Sequence, residues 1–151
     1  MADTRVQLEV EDWVRKTWMP DALGQQFGRE RLPLRSGGKF DFDAVSADEK
    51  IIATISTSSS LTSGGKHGVG KMMKIRSDML FLVMAAAERR LVILTEEDMY
   101  RRCLSEVESG RVPPEIEFMH ASIPADYRER LEKAKAKSSA EVSPKPNLPF
   151  I

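Results

Sequence analysis

A chain of 151 residues, 41% hydrophobic and 30% charged, has the size and make-up of one globular domain with a sizeable core. Its 23 lysines and arginines balance 23 aspartates and glutamates. The zero net charge excludes a whole-molecule polyelectrolyte role, such as coating DNA, and confines anion binding to a local patch. A single cysteine, Cys103, excludes an intramolecular disulfide and fits a reducing compartment. The first sixteen residues carry acids and lack the apolar core of a signal peptide. The longest apolar stretch, residues 79–87, is too short to span a bilayer. These features point to a cytoplasmic protein with no membrane partner.

Val6, Val10, Trp13 and Val14 fall at helical spacing, which predicts an amphipathic helix over 4–18. Residues 19–38, with two prolines and four glycines, read as a loop with a short extended piece at 32–34. Residues 40–45 alternate. Phe40, Phe42 and Ala44 are expected on one face, and Asp41, Asp43 and Val45 on the other. A turn at 46–49 leads to a second strand over 50–57, so the two form an antiparallel hairpin.

A hydroxyl- and glycine-rich loop follows, then a helix over 69–87 whose second half is apolar all round and should be buried on a sheet. Leu91 to Leu94 read as a central strand with both faces covered. Thr95 is placed to cap a helix running to about Ser109, with Tyr100, Cys103, Leu104 and Val107 on its buried side. A strand at 115–122 and a charged helix at 125–137 complete the domain. The order is α-β-β-α-β-α-β-α, an α/β fold with a mixed sheet flanked by helices. Residues 1–138 form the single domain, and 139–151 are expected to be an extended or disordered tail.

Three constellations bear on chemistry. Asp41 and Asp43 place two carboxylates on one strand, where acids are uncommon, and clustered oxygens suit a divalent metal. Residues 65–71 fit the pattern G-x-x-x-x-G-K, in which Gly68 and Gly70 let a phosphate approach the backbone while Lys66, His67, Lys71 and Lys74 supply charge. Met72 stands where a nucleotide-binding loop needs Ser or Thr, which argues against nucleotide hydrolysis. The hydroxyl run that includes Ser56 and Ser58 offers further donors to phosphates. Cys103 has no activating neighbour, and the two histidines, His67 and His120, lack zinc-ligand spacing.

The segment GGKFDFDAVSADEKIIATISTSS, with a helix before it and a helix and strand after it, resembles the PD-(D/E)XK, or restriction-endonuclease-like, superfamily. The resemblance spans roughly residues 4–122. It implies that Asp43, or Asp41, is the metal-binding aspartate of a Mg2+-dependent nuclease site. The E-x-K positions then fall on Thr54-Ile55-Ser56, where both catalytic residue types are missing. Glu9 or Glu11 on the first helix, and Lys66 or Lys71 from the loop, are the groups available to replace them.

The expectation is therefore a restriction-endonuclease-like domain with a degenerate E-x-K motif. It would bind nucleic acid or another phosphate-bearing ligand through Lys66, His67, Lys71, Lys74 and Arg76, as a pseudoenzyme to which no catalytic residue is assigned. Two alternatives stand beside it. One is a protein-interaction or assembly module without a ligand site. The other is a metal-dependent nuclease with a migrated lysine, for which Mg2+ would be the cofactor.

Overall fold

A computed structural model describes residues 4–61 and 68–142, with the side chains of the last helix described as far as residue 137. Five strands form one sheet in the order β1-β2-β3-β4-β5. They are β1 (Phe27–Pro33), β2 (Lys39–Ser46), β3 (Ile51–Ser56), β4 (Arg89–Leu94) and β5 (Ile116–His120). The first three pair antiparallel, and β3-β4 and β4-β5 pair parallel. The two parallel steps carry α3 (Val69–Met84) and α4 (Glu97–Glu108) as crossovers. Both helices pack on one face, where Met72, Ile75, Met79, Leu82, Met99 and Cys103 meet Phe42, Val45, Ile52, Val92 and Leu94. The other face is covered by α1 (Arg5–Trp13), the segment after it and α5 (Ala125–Val142), through Val10, Val14, Met19, Ala53, Leu91 and Ile93. No helix among the described residues is long and apolar enough to cross a membrane.

The expected α/β architecture with a mixed sheet holds, but the order gains a strand. The segment 19–38 is not a loop. It begins with the short helix α2 (Met19–Leu23), closed by Gly24 in the left-handed conformation at φ 74°. It continues as β1, a seven-residue edge strand paired along β2. Gly28 and Pro33 masked this strand, because both are poor strand formers. As the outermost strand of the sheet, β1 tolerates them.

The first helix also departs from the plain amphipathic pattern. Residues Val14–Trp18 form a π-helical segment between α1 and α2. Pro20 follows closely; it has no N–H to donate, and its ring clashes with the carbonyl four residues before it. A wider turn relieves both problems. It also turns Arg15 inward, where the side chain is buried and its Nε donates to the Asp43 carbonyl at 2.6 Å.

Strand β2 carries a bulge. Its partner β1 advances from Gly28 to Glu30 while β2 runs from Val45 to Phe42, one residue more. The extra residue reverses the alternation. Ala44, expected beside Phe40 and Phe42, lies in the opposite cluster, and Val45 takes its place. Other boundaries move less. Helix α3 ends at Met84 rather than at residue 87, and Leu80 in its apolar half is exposed. On α4, Met99 and Cys103 form the buried stripe, while Leu104 and Val107 face outward. Thr95 does not cap α4. Glu96 occupies the cap position, and the Thr95 hydroxyl donates to the Glu96 carboxylate. Helix α5 takes in the first four residues of the segment expected as tail, and the rest of that segment lies outside the described residues.

Cys103 is fully covered, and burial pushes its thiol up to about 12. At neutral pH the native thiol should therefore be inert to a chromogenic disulfide reagent and react only on unfolding. Rapid reaction of the folded protein would mean that α4 opens locally.

Candidate functional site

Asp43 sits where β2 and β3 part. Regular pairing between these strands is confined to Ala44 with Ala53 and Val45 with Ile52. Just beyond it, Asp43 Oδ2 accepts the Ile55 amide at 2.8 Å, so the carboxylate takes the place of a ladder bond. Asp43 therefore lies against the segment Thr54–Ile55–Ser56. Thr54 is buried, and its hydroxyl is one of the buried polar atoms without a partner.

Other charged groups converge on Asp43. Glu11, on α1, has its carboxyl raised above the usual range by burial and then by the negative charge of Asp43. Asp78, on α3, is likewise raised by burial, with Asp43 adding to the effect, although the Lys74 ammonium 2.7 Å away pulls in the other direction. Lys74 and Asp78 are one helical turn apart on α3, which lets them pair. Arg15 and Lys74 also temper Glu11. Glu11 is one of the stand-ins that the sequence offers; Asp78 carries little signal there, because it stands just before the apolar half of its helix. An acid four residues after Lys74 is the only signal that marked it.

Asp41 goes elsewhere. It is exposed and held by a fork of two bonds from Arg31, at 2.8 and 3.1 Å, across the β1-β2 ladder. That guanidinium keeps its carboxyl below the usual range. The two aspartates of β2 thus serve different partners. Among the described residues, no group of three or more His, Cys, Asp or Glu side chains is placed to hold a metal ion.

The described residues that flank the glycine loop, up to Leu61 and from Gly68, connect the C-terminal end of β3, where Asp43 meets Ile55, to α3. Lys66 and His67 fall outside the described residues. The Gly68 amide donates to the Ser60 carbonyl at 2.8 Å. A Cβ on Gly68 would come within 3.1 Å of the Lys71 side chain, which would have to shift slightly to admit it. Gly70 has open space around it. Lys71 Nζ donates to the Leu61 carbonyl at 2.9 Å, and burial lowers its pKa. Lys71 also feels Asp98 and Glu96, whereas Lys74 belongs to the Asp43 cluster. Arg76 pairs with Glu106 on α4 at 2.9 Å.

The serines are turned inward as well. Ser56 Oγ accepts the Ser58 amide at 3.2 Å. Asp98, in the first turn of α4, accepts the hydroxyls of Ser59 and Ser60 and the Ser60 amide. Burial works against its charge, but these bonds hold its carboxyl below the usual range. A cleft of about 510 Å³ opens beside them, lined by Ser60, Asp98, Arg101, Arg102 and Ser105. Arg101 and Arg102 were not singled out from sequence, because a solvated helix face gives the same pattern. Compared with protein-family models, curated proteins and solved structures, the chain finds no match.

Proposed function

We propose that this chain is a restriction-endonuclease-like domain with a degraded catalytic site, which binds nucleic acid or another phosphate-bearing ligand without efficient hydrolysis. The observation that supports this most directly is the bond from the Ile55 amide to Asp43. The resemblance requires the aspartate of one hairpin strand to lie beside the E-x-K segment of the next, and Asp43 lies beside Thr54–Ile55–Ser56. Those positions offer two hydroxyls in place of a carboxylate and an ammonium, so the charge pattern that holds a metal and activates water is lost. The ligand would reach the loop end of β3, where Lys66, His67 and Lys71 cluster by sequence, Gly70 leaves the backbone open, and Arg101 and Arg102 border the neighbouring cleft.

A short labelled oligonucleotide tests this by fluorescence anisotropy. Binding at low salt, with the probe intact after prolonged incubation in Mg2+, is expected. Replacing Lys66 and Lys71 together by Ala should flatten the dependence of log affinity on log salt by up to about two units. A probe that never binds, even at the lowest salt, would remove this reading and leave a protein-interaction module as the better account.

A metal-dependent nuclease with a migrated lysine draws support from the charge of Asp43 acting on Glu11 and on Asp78, the latter paired with Lys74, although no three of these acids are placed together as a metal site. On that reading Mg2+ or Mn2+ should raise the melting temperature, because a ligand of the native state stabilises it by mass action. Asp43→Asn should abolish the rise, and the oligonucleotide should be cleaved. The degraded-site reading expects neither a metal-dependent rise nor cleavage.

A further inference from the structure

In a chain with no net charge, four cations gather around one hollow among the described residues, on the face of the sheet opposite α3 and α4. Antiparallel packing of α1 against α5 leaves a groove of about 460 Å³. Arg5, Arg130, Lys133 and Lys137 line it with a single carboxylate, Glu9, and with Val6 and Ala134 as its apolar floor. The excess of cations over acids is local and is not repeated in the cleft beside α4, where Asp98 and two arginines face each other.

We propose that this groove is a second binding surface, which takes the phosphate backbone of a nucleic acid. The proposal rests on the reading of the chain as a nucleic-acid-binding domain and adds a place and residues that the reading lacked.

Three features carry it. Arg130, Lys133 and Lys137 follow one another at steps of three and four, which puts them in a row along one side of α5. At 1.5 Å per residue the row is about 10 Å long, about three nucleotide steps at 3.4 Å per step of a duplex strand. A line of charges suits a linear polyanion better than a single phosphate. The carboxylates that oppose the row are weakly committed. Arg130 meets Glu9 at 2.7 Å and Lys133 meets Glu129 at 3.0 Å, and all four side chains are exposed. Surface pairs of this kind are worth about 0–1 kcal/mol, so they can give way to phosphates. Finally, the first turn of α1 borders the groove through Arg5 and Val6, and the Thr4 side chain makes no capping bond there. The positive end of that helix adds to the same field.

The test compares three full-length proteins by anisotropy against a labelled oligonucleotide over a range of salt. They are the native chain, Lys133→Ala with Lys137→Ala, and Lys66→Ala with Lys71→Ala. Both lysines of the groove variant are exposed, so its melting temperature should match the native value. Its salt slope should fall by about two units, and its affinity at low salt by tenfold or more. Unlabelled polyglutamate should compete poorly.

Native affinity and slope in the groove variant, with loss in the loop variant, would overturn the groove and keep the loop reading. Equal competition by polyglutamate would overturn it in favour of an acidic peptide. No binding by the native chain would defeat both.

Discussion

Replacing Arg128 by Ala is expected to lower folding stability at neutral pH by about 3 kcal/mol, the lower end of the cost of removing one partner of a buried ion pair. Glu96 is almost fully buried at the end of β4. Its carboxylate accepts from Arg128 at 2.6 Å, from Lys135 at 2.9 Å and from the Thr95 hydroxyl at 2.9 Å. A second guanidinium nitrogen of Arg128 holds the Thr95 carbonyl at 2.8 Å. Without Arg128, a buried carboxylate keeps only part of its compensation and α5 loses an anchor on the sheet. The lower end applies because Arg128 itself is about one third exposed, at 32%.

The same network fixes a pH dependence. Burial alone would raise the Glu96 carboxyl, but Lys135 and Arg128 outweigh it and hold the group below its ordinary 4.5. An acid depressed in the folded state contributes stability that is whole above its unfolded value and is lost as pH falls through the folded one. The native protein should therefore lose this contribution below about pH 4.5. The Arg128→Ala variant should have less to lose there. Urea denaturation at pH 7 and at pH 3.5 measures both. A loss under about 1 kcal/mol at pH 7, with native acid sensitivity, would mean that water already compensates Glu96.

Leu82→Ala is expected to cost about 2–5 kcal/mol, from lost transfer energy and the cavity left behind. Leu82 is fully buried in the last turn of α3, in the cluster that also holds Leu34, Phe42 and Val92. Its carbonyl also accepts from Arg90 Nε at 2.9 Å, which ties the end of the helix to β4 and limits how far the site can collapse. The effect should therefore fall in the upper part of that range. Thermal or chemical denaturation reads it, and a change below 1 kcal/mol would mean that α3 is not seated on the sheet. Leu80→Ala is the control. Its side chain is 54% exposed, so its truncation should be nearly neutral.

Local pattern alone determined the central elements. The run Leu91 to Leu94 declared a strand covered on both sides, and its residues alternate between the two core clusters. The turn at 46–49 is built as its residues imply. There Ser46 Oγ accepts the Ile51 amide, and Glu49 adopts a positive φ of 61°. Strand β1 was illegible because an edge strand is held by its neighbour's backbone rather than by its own alternation, and its interior is exposed at most positions.

Only the tertiary structure decided the candidate site. A bulge in β2 is a property of pairing with β1, and no local signal announces it. It separates Asp43 from Asp41 in function: one bonds β3 across a gap, and the other takes an arginine from β1. Asp78 feels the charge of Asp43 only because the crossover seats α3 on the sheet. Lys71 and Lys74 share one side of α3 but stand nearly a turn apart along it, so one reaches back to the Leu61 carbonyl and the other forward to Asp78. Sequence sets which groups carry charge. Some cations meet a carboxylate one helical turn away, as Lys74 meets Asp78, but Arg76 with Glu106 and Arg128 with Glu96 pair across 30 or more positions, and such contacts exist only once the sheet and its two helical layers have closed.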